Sequence, residues 1–256
     1  MDFFYGGLPA WGFWLAVAIT LFAGFVKGAV GFAMPLIMIS AFSSFMAPDL
    51  ALAALILSVL TTNVHQSLRQ GLGAAWASAR AYWRIIAMTC AGILISAPFV
   101  VILPQRLMLG LLGVPVMIFA LMQLTGWKPT IAPRHRNGAE YGLGMLGGLY
   151  GGISGIWGPP AIVYLLAVGT PKAEMVRVLG VIFMIGALVL TLAHLGSGVL
   201  NAVTLPFSLA LIVPAALGMM LGFRLQDRLD PERFRFWTLV VLMVVALNLV
   251  RRAVMG

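Results

Sequence analysis

Ten apolar stretches follow one another along this chain, at about residues 10–27, 31–46, 50–68, 84–103, 106–125, 139–153, 157–169, 178–197, 203–223 and 235–251. Most reach the roughly 17–25 residues that a helix needs to cross a bilayer. No soluble core of this length absorbs so many, so the excess apolar surface must face lipid. Charged residues make up only 9% of the chain, against roughly 25% in soluble domains. Lipid offers backbone groups no hydrogen-bond partner, so the stretches must be helical. The expected fold is all-α integral membrane, with about 8-10 transmembrane or re-entrant helices. Met1-Asp2-Phe3-Phe4-Tyr5 carries no basic run and no small-residue cleavage site, so the first stretch reads as a retained span and not a signal peptide.

The formal net charge of +9 would suggest nucleic acid in a soluble protein. Here the positions of the charges decide, and nucleic acid is not expected as a partner. With the N-terminus outside, the inner loops hold Arg69, Arg80, Arg84, Lys128, Arg134, Arg136, Lys172, Arg177, Arg224, Arg228, Arg233 and Arg235. The outer side then holds only Arg106, Arg251 and Arg252. The excess of basic residues on inner loops predicts N-outside and C-outside in a cell inner membrane. The single cysteine, Cys90, excludes a disulfide framework and a thiolate metal cluster. It reads as a small packing residue.

The chain also resembles itself. Gly24, Gly28, Gly31 and Pro35 share their spacing with Gly148, Gly152, Gly155 and Pro159, at an offset of 124. Two weaker echoes follow in the same order. Thr62 to His65 parallels Thr191 to His194, and Pro104-Gln105-Arg106-Leu107 parallels Pro231-Glu232-Arg233-Phe234. Residues 1–126 and 139–256 thus read as two halves joined by a polar cytoplasmic linker, 127–138. An odd number of segments in each half makes the second enter the membrane in the opposite sense. Such an inverted repeat is characteristic of secondary transporters.

The glycine motifs fall between segments 1 and 2 and between segments 6 and 7. Segments 6 and 7 are too short for the ~30 Å hydrocarbon core at 1.5 Å per residue. Each pair therefore reads as a re-entrant or broken-helix hairpin with a deep turn. Helix starts near Phe32 and Trp157 would present N–H groups and a partial positive charge to an anion. The competing reading is that the glycines only let helices pack closely. Lys27 lies inside the first motif. It is an intramembrane cation if the turn is deep, or a snorkelling surface lysine if the span is complete.

At the end of segment 3, Thr62, Asn63 and Gln66 share one helical face. Their hydroxyl and amide donors suit an oxyanion, or hydrogen bonds between helices. His65 and His194 hold equivalent places and either could carry a proton. The seven carboxylates, Asp2, Asp49, Glu140, Glu174, Asp227, Asp230 and Glu232, all fall at segment ends or in loops. A mid-membrane carboxylate ion site or proton relay is therefore not expected, nor is a metal or a cofactor. A minor alternative is an intramembrane serine protease. Gly152-Ile153-Ser154-Gly155 matches a G-x-S-G pattern with His194 downstream, and a serine and histidine could act as nucleophile and base.

The two glycine motifs, Asn63-Val64-His65-Gln66 and the run from Gly222-Phe223-Arg224-Leu225 to Pro231-Glu232-Arg233-Phe234 resemble the TauE/SafE sulfite-exporter family over nearly the whole chain. The chain departs from the family pattern at His65, where tryptophan is usual, and at Ala33 and Trp157, where glycine is common. The resemblance implies a permease for sulfite, thiosulfate, sulfoacetate or a related organosulfonate, most simply an exporter, and not an enzyme. It places the substrate around Lys27, Gly28, Gly31, Asn63, Gln66, Gly152, Ser154 and Gly155. A passive small-anion channel is the alternative. The expected partners are that anion and membrane lipid, with a homodimer compatible.

Overall fold

The computed structural model describes residues 5–126, 130–225 and 231–255. Twelve α-helices lie in these residues: α1 (Ala10–Val30), α2 (Met34–Phe42), α3 (Pro48–Leu68), α4 (Leu72–Ala81), α5 (Trp83–Ser96), α6 (Gln105–Leu124), α7 (Arg136–Ser154), α8 (Gly158–Ala167), α9 (Lys172–Gly196), α10 (Thr204–Ala210), α11 (Ile212–Leu225) and α12 (Pro231–Met255). No strand occurs among the described residues. Among the described residues, six stretches are long and apolar enough to cross a membrane, within Ala10–Ala29, Pro48–Leu68, Trp83–Val101, Gln105–Leu124, Glu174–Gly196 and Thr204–Arg224. Large apolar side chains stand exposed around the bundle, including Trp14, Leu94, Ile118, Leu192 and Val213. Water would not tolerate so extensive an apolar surface on a monomer, and lipid requires it.

Prolines start many of these helices. Pro48 is the first residue of α3, Pro35 lies in the first turn of α2, and Pro159 lies in that of α8. The first turn has no intrahelical use for the N–H that proline lacks, and its fixed φ suits a helix start. Glycines end α1 and α7 in the left-handed region, with Gly31 at φ 86° and Gly155 at φ 72°. Both caps close alike. The Gly31 N–H donates to Lys27 O at 2.7 Å, and the Gly155 N–H donates to Gly151 O at 2.7 Å.

The hairpins expected at the two motifs are present, with an unequal division of length. The first helix of each, α1 or α7, has 21 or 19 residues. The second, α2 or α8, has only 9 or 10. Ten helical residues rise about 15 Å, half of the hydrocarbon core. The expected segment 31–46 thus gives one short helix, because the Gly31–Ala33 turn and the 43–47 loop take up the rest of that apolar run. Two further differences concern residues between the expected segments. Residues 72–81 form α4, an alanine-rich stretch with one arginine, Arg80, that is too short to count as a span. Residues 136–138, expected in the linker, are the first turn of α7. Residues 127–129 of that linker, with Lys128, lie outside the described residues, as do Asp227, Arg228 and Asp230.

Four helix pairs make the most extensive contacts: α5 with α7, α1 with α11, α6 with α12 and α3 with α9. Glycine seams hold the first two. Gly148 approaches Gly92 and the Thr89 carbonyl, while Gly28 approaches Gly222 and the Met219 carbonyl. Removing side chains at such seams lets backbones meet, and dispersion then holds the helices together where lipid supplies no hydrophobic drive. In both seams the helices run in the same direction, since Gly144 faces Ile85 and Gly152 faces Ile93, as Gly24 faces Ala215 and Gly28 faces Met219.

The helix directions gather the cations. Arg177 donates to Ser78 and Gln70, Tyr82 to Glu174, and Arg84 to Glu140. These contacts place residues 69–84, 136–140 and 174–177 on one face. Arg252 reaches Ser43 O, and Asn248 Nδ2 lies 3.4 Å from Ser44 Oγ, so the 43–44 turn and the end of α12 form part of the opposite face. Arg69, Arg84, Arg136 and Arg177 therefore lie towards one face, and Arg252 lies towards the other.

Candidate functional site

The turns after α1 and α7 meet inside the bundle. A cavity between them is lined by Lys27, Ala33, Asn63, Gly155, Trp157 and Phe183, among others. Its volume is about 20 Å³, room for one or two waters and for little more. Asn63 is five residues from the end of α3, so the cavity lies about 8 Å from that end at 1.5 Å per residue. On α9 it lies at Phe183, midway along that 25-residue helix.

Lys27 is 2% exposed. Its Nζ donates to Thr62 Oγ1 at 2.9 Å and to Asn63 Oδ1. The reading of Lys27 as a snorkelling surface residue does not fit this burial. No carboxylate pairs with it among the described residues. An ammonium has three donors, so two are occupied by protein and one is left for the cavity. Asn63 is itself fixed, because its Nδ2 donates to Phe183 O on α9 at 3.1 Å. The lysine, Asn63 and α9 therefore form one connected frame. Gln66, one turn further along α3, donates from Nε2 to Gly31 O at 3.0 Å and to Val176 O at 3.3 Å. It ties the first motif turn to α9 just below the cavity.

The remaining sequence-derived residues divide between the cavity wall and helix packing. Gly155 lines the cavity and Gly31 lies on its arginine-facing side. Gly28 packs against α11, and Gly152 packs against Ser96 and the Ile93 carbonyl of α5. The Ser154 Oγ donates to Tyr150 O at 2.7 Å and accepts from the Ile156 N–H at 3.1 Å, which shapes the second turn. His194 is buried, with Nε2 2.9 Å from Gly152 O and Nδ1 3.1 Å from Ser197 Oγ. Both polar atoms of a Ser154–His194 pair are thus engaged elsewhere. His65 stands on an exposed face and stacks on Phe223 at 5.8 Å.

The structure adds Trp157, which sequence reasoning weighed only as a backbone position. Its side chain is 3% exposed, lines the cavity, and its Nε1–H has no acceptor among the described residues. An unpartnered buried donor costs about 1–3 kcal/mol, and an arriving acceptor offsets that cost. The signal in the sequence was a tryptophan standing where glycine is common. Helix starts contribute less than expected, because Pro159 and Pro160 follow Gly158 and remove two N–H groups from the first turn of α8.

Ala33 is the only non-glycine with positive φ among the described residues, at 77°, and it is buried. The left-handed region costs an L-residue about 1–2 kcal/mol. Ala33→Gly is therefore expected to keep or raise the melting temperature. Ala33→Val, with a branched Cβ at this φ, is expected to cost about 2 kcal/mol or more. Thermal unfolding in detergent checks both. Equal stability of the two variants would contradict the left-handed turn.

Helices long and apolar enough to cross a membrane, folded around a buried lysine-lined cavity between two hairpins whose second helices are short, define a multi-pass membrane protein, and its family is one of membrane transporters. The chain belongs to a particular family of these: the description "Sulfite exporter TauE/SafE" matches residues 16–249. No curated protein and no solved structure matches it.

Proposed function

We propose that this protein is a secondary transporter that exports a small sulfur-containing anion (sulfite, sulfoacetate, thiosulfate or a related organosulfonate) across the bacterial inner membrane. The observation that carries this reading is Lys27: a buried lysine with no carboxylate partner among the described residues, facing a cavity whose other wall holds an indole N–H that has no acceptor among them. A lone intramembrane cation is costly and marks a substrate path by default. Anionic substrate supplies the missing countercharge, and Asn63 and Thr62 hold the lysine ready. The family description supports both the sulfur anion and the outward direction.

Alternating access fits the constriction. A cavity of about 20 Å³ must widen to admit a three-oxygen anion, and the Gln66 bridge is the contact that opens towards the arginine-rich face. The matching seams, with Gly24 on Ala215 and Gly148 on Thr89, support two inverted repeats, 1–126 and 139–256, rocking about the cavity. The distribution of arginines supports N- and C-termini outside. The same constriction favours a carrier over a passive channel.

Sulfite efflux from proteoliposomes tests the proposal. Saturable efflux, absent for chloride and carrying no unitary current in planar bilayers, is the expected result. Non-saturating flux with discrete channel currents would replace the carrier with a channel, and no flux of any sulfur anion would remove the substrate assignment.

A further inference from the structure

Directly below Gln66, on the arginine-rich face, the structure opens into a vestibule of about 280 Å³. Gly28 and Gly31 form its inner wall, next to Lys27, and Gln66, Arg69, Gln70, Val176, Arg177 and Phe223 form the rest. Two guanidiniums thus border one space that already has room for an oxyanion, which the Lys27 cavity has not.

Among the described residues, neither arginine pairs with a carboxylate. Salt bridges among the described residues involve only Arg84 and Arg136 with Glu140. The nearby Glu174 instead accepts from Tyr82, at 3.3 Å. Arg177 is fixed in place, with Nε donating to Ser78 Oγ at 2.9 Å and one terminal nitrogen donating to Gln70 Oε1 at 3.2 Å. Arg69 lies with its guanidinium carbon 4.5 Å from the Phe223 ring centroid and donates no hydrogen bond among the described residues. A guanidinium has five N–H donors in a planar fork that matches two oxygens of a sulfonate or sulfite. Stacking on Phe223 holds that fork without consuming its donors. A bias of cations towards the inner face accounts for arginines at this level. It does not account for one laid on an aromatic ring and another pinned at both ends around a single cavity.

We infer that this vestibule is a second oxyanion site, at which Arg69 and Arg177 hold a sulfite or sulfonate group before it reaches Lys27. The Gln66 bridge between Gly31 and Val176 separates the two sites. The ligand class rests on the transport reading above, whereas the site itself rests on the two arginines and the space between them. Anions gather at the mouth by electrostatic focusing and pass to Lys27 when the bridge opens.

The test places a cysteine in the vestibule, Val176→Cys, in a Cys90→Ala background. Its reaction rate is measured with a sulfonate-bearing methanethiosulfonate reagent and with the matching trimethylammonium reagent. The sulfonate reagent is expected to react about tenfold faster or more. That preference is expected to fall towards one in Arg69→Gln, and sulfite is expected to slow the labelling. Arg69→Gln removes no hydrogen bond, so the protein should remain folded, and unchanged gel-filtration and melting behaviour verify this. Equal rates for the two reagents, or a preference indifferent to Arg69→Gln and Arg177→Gln, would overturn the second site even if sulfite is transported. A preference that depends on the arginines, with sulfite neither protecting nor transported, would keep the oxyanion site and remove the sulfite assignment.

Discussion

Lys27→Met is expected to weaken sulfite transport by roughly tenfold or more and to leave the protein as stable as before, or more so. Both halves of the prediction come from the same geometry. The ammonium is buried and has two neutral partners, Thr62 Oγ1 and Asn63 Oδ1. When the lysine is gone Thr62 still donates to Ser58 O and Asn63 Nδ2 still donates to Phe183 O, while Asn63 Oδ1 is left without its donor. The unsatisfied Oδ1 costs about 1–3 kcal/mol, and removing a charge from an apolar surround returns a comparable or larger amount. Substrate binding has no such compensation. Hydrogen bonds to a charged group contribute about 1.5–3 kcal/mol, so sulfite affinity should fall by roughly tenfold to a hundredfold. Lys27→Arg is not expected to rescue it, because the planar guanidinium needs space that a cavity of about 20 Å³ does not offer. Proteoliposome efflux and thermal unfolding read the two effects separately. A variant that transports normally would end the assigned role, and one that is inactive only because it unfolds would make Lys27 a structural residue.

The sequence made this lysine a site residue only on condition that the first turn lies deep, and the reason it could not settle the matter is physical. Hydropathy reports the length of an apolar run and not where the run turns. Residues 31–46 form one run, but Gly31 and Ala33 adopt positive φ inside it, and only a 9-residue helix follows. The glycine spacing did indicate the turns. It did not separate glycines that bend the chain, Gly31 and Gly155, from glycines that admit a neighbouring backbone, Gly28 and Gly152. That distinction depends on α11 and α5, each of which is remote in sequence from the motif it packs on. Asn63 and Gln66 were legible because their spacing on α3 is local. Trp157 was not legible as a donor, since an indole N–H matters only once burial has left it without a partner. Glu140 shows the same limit. It lies near the start of α7, as its place at a segment end implied, but the sequence did not show that it is 3% exposed and accepts from Tyr164 and Arg84.

Gly148→Ala is expected to be strongly destabilising, although it adds only one methyl group to a helix seam. A Cβ there would strike the Thr89 carbonyl and come within 2.9 Å of Gly92 Cα. Both obstacles are backbone, so no side-chain rotation relieves the overlap and α5 and α7 must separate. Overpacking of this kind costs about 1–3 kcal/mol, to which the dispersion lost along the seam is added. Two turns earlier on the same helix, Gly142 faces open space. Gly142→Ala should therefore be neutral or stabilising, by up to about 1 kcal/mol from helix propensity. The opposite signs on one helix separate packing from propensity. The proposed repeat extends the comparison to α1, where Gly24 is the counterpart of Gly148 and its Cβ would strike the Ala215 carbonyl. Gly24→Ala should lower folded yield and melting temperature about as much as Gly148→Ala does. If Gly148→Ala melts with Gly142→Ala, the close α5–α7 seam is wrong. If Gly148→Ala is severe and Gly24→Ala is harmless, the seams are not equivalent, and the argument for two repeats rocking about Lys27 loses its packing support.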